Sequence, residues 1–209
     1  MLVGDAAESR RAYEEIQSLT ERYNSMNGGK WQGLMSAAPR ELPVFGQTST
    51  QLAQDSCTEA CLVAGNACDY TLQTSSLKPQ VIQMLGHSMN AVAIPKDGML
   101  VFDFQTDREG DAVLYTAMIP TQPSDRGDLR YSVQIDDQTP VIISLKTPYR
   151  SESWKQSVLR GQALKATSVK VSKGRHTLTI KALDDHIVAD QWMLAFSTNH
   201  QFYVIPVKP

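Results

Sequence analysis

The sequence predicts a mainly β protein, an antiparallel β-sandwich preceded by an α-helical segment. Three observations support this. From residue 81 onward, short runs of β-branched, aromatic and other apolar residues recur with turn-forming residues between them. No predicted strand is followed by a helical pattern long enough for a parallel crossover. The beginning of the chain instead follows the 3.6-residue period of a helix.

The first 25 residues predict an amphipathic helix. Apolar residues recur at alternating spacings of four and three, and charged residues occupy much of the remaining surface. The sequence Asn27-Gly28-Gly29 then tolerates a left-handed exit from the helix. Because a single apolar stripe must pack against something, we expect an interface here, with Trp31 wedged against the same neighbour. The interface candidates are Ala12, Ile16, Leu19, Tyr23, Met26 and Trp31.

Residues 36–50 have the composition of a linker, since Pro39, Pro43 and Gly46 interrupt any period. We therefore place a domain boundary near residue 45. Residues 1–45 form the helical segment and linker, and residues 46–209 form the sandwich domain.

Three cysteines, Cys57, Cys61 and Cys68, fall close together after this boundary. Three thiols cannot all pair with one another, so the count does not establish a disulfide framework. Their spacing lacks the paired C-x2-C clamps of structural zinc sites. One local disulfide, free thiols and a metal site all remain open from the spacing, although we expect neither a metal nor a cofactor.

Nine runs in the second region are predicted to be strands. Several alternate apolar with polar residues, which is typical of strands with one face toward water. Strands this short and numerous favour a sandwich of the jelly-roll, galactose-binding-like kind. Trp192 lies among apolar residues of the last run and is expected in the core. The runs are residues 81–84, 91–94, 99–104, 112–119, 131–135, 141–145, 168–171, 177–183 and 191–196.

Motifs that carry chemistry are absent from the sequence, so we predict no catalytic residue. There is no glycine-rich nucleotide loop, no Gly-x-Ser-x-Gly elbow and no His-Glu-x-x-His. His87, beside Ser88, falls in a predicted turn, and we expect it to bond the turn or face solvent. The acidic pairs at 136–137 and 184–185 are also expected in turns, because adjacent strand residues point to opposite faces and cannot form a facing carboxylate pair.

The best candidate for ligand binding is the set Tyr149, Arg150 and Trp154. These residues lie in the least strand-like stretch of the domain, where we expect a loop. Aromatic rings commonly pack against the apolar face of a pyranose while polar groups hold the hydroxyls. The alternative is that Trp154 packs on Val158 and Leu159 in a short helix that covers the sandwich.

Charge and hydropathy exclude other classes of partner. The net charge is −2 and basic residues form no patch, so a nucleic-acid partner is not expected. No apolar stretch approaches the ~20 residues needed to cross a bilayer. The first five residues lack the features of a signal peptide, so either the protein is cytosolic or an upstream part of the natural chain has been removed.

Several segments resemble, in the same order, the end of glycoside hydrolase family 115. Residues 23–35 (YNSMNGGKWQGLM) resemble a segment near the end of that family's helical domain. The other segments resemble its C-terminal β-sandwich. They are residues 85–88 (LGHS) with 91–95 (AVAIP), residues 120–123 (PTQP), residues 129–137 (LRYSVQIDD), residues 154–160 (WKQSVLR) and residues 174–180 (GRHTLTI). Residues 57–68 and 183–186 depart from the family pattern.

The resemblance implies that the chain is the end of the helical domain joined to the accessory sandwich of an α-glucuronidase, an enzyme that removes 4-O-methylglucuronic acid from xylan. The catalytic groups of such enzymes lie in upstream domains, and no position here matches them. The implied partners are those upstream domains, xylan or glucuronoxylan, and a second copy in a homodimer. The implied location of the full-length parent is extracellular or periplasmic.

Three functions follow from the sequence. The chain is a structural module that braces a catalytic body or a dimer, or a sugar-binding module that uses the candidate set of residues 149, 150 and 154. The third is a self-sufficient hydrolase, which requires two carboxylates facing each other across a cleft.

Overall fold

The computed structural model describes residues 6–29, 62–73, 78–120, 128–196 and 205. The chain divides into two compact units. The described part of the first unit is helix α1 (Ala6–Gly29), and that of the second is a β-rich domain. In the second unit the elements are β1 (Leu62–Asn66), a 3-10 turn (Ala67–Asp69), β2 (Leu72–Gln73), β3 (Gln80–Gln83), β4 (Asn90–Ile94), β5 (Met99–Thr106), β6 (Gly110–Met118), β7 (Arg130–Ile135), β8 (Val141–Ser144), α2 (Glu152–Arg160), β9 (Ala163–Val171), β10 (Gly174–Ala182) and β11 (Ile187–Ala195).

Helix α1 carries the predicted apolar stripe. Ile16, Leu19, Tyr23 and Met26 are between 38% and 57% exposed, and Ala12 is also exposed. Gly28 adopts a left-handed φ of 68°, which agrees with the predicted exit at the end of the helix. Trp31 lies outside the described residues. None of the helices that the structure describes is long and apolar enough to cross a membrane.

The strands form two antiparallel sheets, which confirms the predicted sandwich. One sheet has the order β3-β4-β11-β6-β9, and β1 also pairs with β11; the other has the order β2-β5-β10-β7-β8. Each of the nine predicted runs overlaps an observed strand. Two strands were not predicted, because β1 and β2 lie in the cysteine-bearing stretch and β2 spans only two residues.

The core lies between the two sheets and is built on alternate residues. Leu100, Phe102 and Phe104 of β5 are buried, whereas Asp103 between them is exposed, as the period of a half-wet strand requires. The rings of Phe102 and Phe104 lie 5.8 and 5.6 Å from that of Trp192, centroid to centroid. Trp192 is therefore a core residue, as predicted.

Strand β11 differs from a half-wet strand because every one of its residues is buried. Leu194 belongs to the core between the sheets, whereas Met193 and Ala195 are fully buried but lie outside that cluster. The run from residue 192 to 196 is continuously apolar, which is typical of a strand covered on both faces. β11 is thus the central strand of the domain.

Glycine allows β1 to lie close against this strand. Gly65 pairs with Trp192, and a Cβ at position 65 would approach Trp192 Nε1 to 2.9 Å. A larger residue would therefore push β1 away from the indole.

Of the three cysteines, the structure describes Cys68. The predicted boundary near residue 45, Cys57 and Cys61 all lie outside the described residues. Cys68, in the 3-10 turn, carries a free thiol. Burial, together with the neighbouring Asp69 carboxylate, raises the pKa of the Cys68 thiol.

Candidate functional site

The three residues predicted for ligand binding come together on the surface, and we call them the aromatic–arginine cluster (Tyr149, Arg150 and Trp154). The rings of Tyr149 and Trp154 meet edge to face, with centroids 5.2 Å apart and planes at 66°. The guanidinium carbon of Arg150 lies 5.4 Å from the centroid of the Tyr149 ring. Tyr149 is 70% exposed and Trp154 is half-buried. The cluster therefore presents an exposed aromatic ring with a cation over one of its faces.

A turn and a helix cap fix this arrangement. The Ser151 amide donates to the Pro148 carbonyl at 3.0 Å, and Arg150 within that turn takes a left-handed φ of 59°. Ser151 is the N-cap of α2, because its side chain accepts a hydrogen bond from the Trp154 amide at 3.2 Å. The cap places Trp154 in the first turn of α2, where its ring meets Tyr149.

The alternative interpretation of Trp154 is correct in one respect, since residues 152–160 do form a short helix. Val158 and Leu159 of that helix remain exposed. The ring contact that is observed for Trp154 is with Tyr149. The indole Nε1 of Trp154 is buried and has no hydrogen-bond partner in the described structure.

A second cluster lies in the interior and was not predicted from the sequence. Its centre is the carboxylate of Asp190 in β11, which is 0% exposed. It accepts hydrogen bonds from the His87 amide at 2.8 Å, the Ser88 amide at 3.1 Å, the Ser88 hydroxyl at 2.5 Å and Gln162 Nε2 at 2.6 Å. We call this group (His87, Ser88, Gln162 and Asp190) the Asp190 network. Four donors compensate the cost of burying the charge.

The network ties distant parts of the sandwich together. Gln162 Nε2 also donates to Gln191 Oε1 at 3.1 Å, and Gln191 Nε2 donates to Asn66 Oδ1 in β1 at 3.1 Å. His87 Nε2 lies 2.8 Å from the Arg160 carbonyl in the last turn of α2. His87 lies in a turn, as predicted, but its ring is half-buried and bonds the end of α2 rather than the turn or solvent. The sequence signal that could have revealed the network is Asp190 itself, a carboxylic acid in a strand that is mostly apolar.

The predicted acidic turns also hold the fold together. Asp136 accepts from the Thr177 amide at 2.8 Å, and its Oδ2 lies 2.7 Å from Nδ1 of the buried His176. His176 Nε2 lies 2.8 Å from the Ser172 carbonyl. Burial opposes ionisation of Asp136, but the hydrogen bonds from His176 and Thr177 outweigh it and lower the pKa of the carboxyl.

Asp184 forms the second acidic contact. Arg130 donates to it from Nε at 2.9 Å, from Nη2 at 3.2 Å and from its backbone amide at 2.9 Å. These hydrogen bonds, the side-chain ones first, lower the pKa of Asp184. Asp184 thus anchors the turn before β11 to the start of β7. Within the residues that the structure describes, no three His, Cys, Asp or Glu side chains are grouped to hold a metal ion.

Comparison with known proteins shows which protein family this chain resembles. Residues 62–207 match the family model described as "Glycosyl hydrolase family 115 C-terminal domain". A solved family GH115 4-O-methyl-α-glucuronidase with specificity for decorated arabinogalactans is 31% identical, with a TM-score of 0.62. The match covers 92% of this chain and 25% of that enzyme, so the chain spans about a quarter of the enzyme's length. No curated protein matches the chain.

Two further solved structures are more distant. A Podospora anserina GH26-CBM35 β-(1,4)-mannanase is 15% identical over 68% of this chain and 29% of its own, with a TM-score of 0.49. A family 35 carbohydrate-binding module from Clostridium thermocellum is 11% identical over 64% of this chain and 98% of its own, also with a TM-score of 0.49. These two likenesses are too weak to bear on function. The family model and the 31% identical glucuronidase together show that the chain belongs to glycoside hydrolase family 115, as a member of its C-terminal domain family.

Proposed function

We propose that this chain is a non-catalytic accessory module of a larger α-glucuronidase-type enzyme, and that it braces the catalytic part of that enzyme. The observation that carries the proposal is the 31% identical glucuronidase, which matches nearly the whole chain with only a quarter of its own length. The match is longer than the C-terminal domain alone, so it includes part of the helical unit. The upstream domains of the same polypeptide are then the principal partner. The enzyme acts on xylan or a related decorated polysaccharide, outside the cell or in the periplasm.

The roles of the acidic residues support an accessory function. Asp136, Asp184 and Asp190 each accept several hydrogen bonds from groups that belong to the fold. Such carboxylates orient loops and strands.

The exposed stripe of α1 is the surface proposed for bracing. The stripe (Ala12, Ile16, Leu19, Tyr23 and Met26) is apolar and exposed over about four helical turns. An apolar stripe of this length on a helix is stabilised when another element covers it. We propose that the preceding helical domain of the enzyme covers it, together with Trp31, and that a second copy of the enzyme is the alternative occupant.

Charged substitutions on the stripe test this proposal in the intact enzyme. We expect Leu19→Asp with Tyr23→Asp to lower the midpoint of thermal unfolding by roughly 5 °C, because two carboxylates would replace side chains buried at the contact. The matched control is Ser18→Asp with Ser25→Asp, which adds the same charge away from the stripe and should shift the midpoint by no more than about 1 °C.

The outcomes separate the two occupants. A lower midpoint with an unchanged molecular mass, measured by light scattering, supports contact within one polypeptide. Dissociation of a dimer would instead identify the second copy as the occupant. Equal shifts of the midpoint of thermal unfolding in the stripe and control variants would contradict the bracing role.

A second candidate function is carbohydrate binding, and the geometry of the aromatic–arginine cluster favours it. An exposed Tyr149 ring supported by Trp154 is a surface on which a sugar ring can pack. Binding and bracing use different surfaces and are compatible. In this function the ligand is a segment of the polysaccharide that the enzyme degrades.

A further inference from the structure

The aromatic–arginine cluster combines a ring surface with a positive charge, and this combination specifies a class of ligand. We infer that the cluster binds an acidic sugar, a pyranose that bears a carboxylate, in preference to a neutral one. The inference rests on the carbohydrate-binding function proposed above and adds the chemistry of the ligand.

The aromatic part of the cluster supplies the surface for the sugar ring. The contact with Trp154 is edge to face, so it supports the Tyr149 ring while most of the Tyr149 side chain, 70%, stays open to solvent. The C–H face of a pyranose can pack on such a ring. This contact alone does not distinguish a neutral sugar from an acidic one.

Arg150 supplies the distinction. Its guanidinium lies over one face of the Tyr149 ring, 5.4 Å from the centroid, where cation–π attraction favours it. A guanidinium carries planar N–H donors whose geometry matches the two oxygens of a carboxylate. A uronic acid that packs on Tyr149 would therefore bring its carboxylate within reach of Arg150. A neutral hexopyranose has only a hydroxymethyl group at that position, and xylose has none.

The backbone at Arg150 is consistent with a binding role. Its φ of 59° lies in the left-handed region, which costs a non-glycine residue conformational energy. The hydrogen bond between Ser151 and Pro148 and the cap of α2 hold the turn in this conformation. The backbone that carries the Arg150 side chain is thus set by the fold before any ligand arrives.

The charge of Arg150 remains available to a ligand. The acidic neighbour in sequence, Glu152, forms an ion pair with Lys155, with 3.5 Å between Oε2 and Nζ. Among the residues that the structure describes, Arg150 forms no ion pair with a carboxylate. Lys155 therefore offsets the charge of Glu152, and Arg150 contributes a net positive charge to the cluster.

Titration of the 209-residue chain with a matched pair of ligands tests the inference. The first ligand is a xylo-oligosaccharide with one 4-O-methylglucuronic acid branch, and the second is the same molecule with its carboxyl group reduced to an alcohol. At low ionic strength we expect the acidic ligand to bind about fivefold more tightly, as for one exposed ion pair. The preference should shrink as salt is added, because the pair is exposed to solvent.

Three variants test which residue causes the preference for the acidic ligand. Arg150→Gln should abolish the preference, so that the acidic and the reduced ligand bind with equal affinity. Arg175→Gln, at an exposed arginine on β10, is the matched control and should keep the preference. Tyr149→Ala should weaken both ligands by about fivefold or more, since stacking on an aromatic ring is lost. Circular dichroism of each variant verifies that the sandwich is folded.

The outcomes distinguish failure of the inference from failure of the proposed function. Equal affinity for the two ligands, or a preference that survives Arg150→Gln, would overturn the inference and leave carbohydrate binding intact. If neither ligand binds at millimolar concentration, both carbohydrate binding at this cluster and the inference are wrong. Preference for the acidic ligand that depends on Arg150 supports both.

Discussion

Asp190→Ala is expected to cost at least about 4 kcal/mol in the free energy of unfolding, because each buried donor left unpaired costs ~1–3 kcal/mol. The Asp190 carboxylate accepts from the amides of His87 and Ser88 and from Gln162, and it is fully buried. Its removal would leave the two amides without an acceptor, take one of two acceptors from Gln162 Nε2 and open a cavity beside β11. Denaturation by urea, followed by circular dichroism, measures the loss.

Two variants calibrate this expectation. Asp190→Asn keeps the shape of the side chain but turns an amide NH2 toward existing donors, and we expect a loss of about 2–3 kcal/mol. Asp185→Ala, an exposed aspartate in the preceding turn, should cost less than ~0.5 kcal/mol. A loss below 1 kcal/mol for Asp190→Ala would show that the network does not stabilise the domain.

Gly86→Ala is expected to destabilise the domain by more than ~3 kcal/mol, from two causes that act together. Gly86 has a φ of 78°, a left-handed conformation that costs other residues ~1–2 kcal/mol. A Cβ at this position would also collide with the carboxylate of Asp190. Either the turn or the buried carboxylate would have to move, and the hydrogen bonds from His87 and Ser88 would lengthen. Urea denaturation measures the change.

Gly161→Ala separates the two causes. Gly161 has a similar φ of 74°, but its Cβ would meet only His87 Nε2, at an ordinary 3.7 Å. We expect this variant to lose about 1 kcal/mol, from the backbone conformation alone. Combining Gly86→Ala with Asp190→Ala should cost less than the sum of the single changes, because both act on one carboxylate. If the two glycine variants lose similar amounts of the free energy of unfolding, the collision between the added Cβ and Asp190 is relieved without an energetic cost.

The segments that resemble family 115 turn out to contact one another. His87, in the LGHS segment, bonds the carbonyl of Arg160, at the end of the WKQSVLR segment. Asp136 in one segment bonds His176 in another. Their common role in the described structure is to join turns and strands across the sandwich.

Local patterns account for what the sequence predicted correctly. The nine predicted strands follow from alternation and turn residues, which act over a few neighbouring positions. Tyr149, Arg150 and Trp154 were expected together because they lie within six residues. In the structure a helix cap brings Trp154 into contact with Tyr149. Their role in sugar binding remains a prediction.

Long-range contacts account for what it did not predict. Asp190 and His87 are 103 positions apart in the chain, and no local pattern pairs them. Strand β1 contains a glycine and a polar Asn66, and only its pairing with β11 makes it a strand. The burial of Met193 and Ala195 of β11, which lie outside the core between the sheets, likewise depends on contacts with residues distant in sequence.

We propose that this domain supports catalysis without performing it. Incubation of the 209-residue chain with a polysaccharide decorated with 4-O-methylglucuronic acid, followed by chromatography of the released sugars, tests this proposal. We expect no free uronic acid from the chain alone, and release by the full-length enzyme under the same conditions. Release by the chain alone, lost on substitution of one of its own carboxylates, would contradict it.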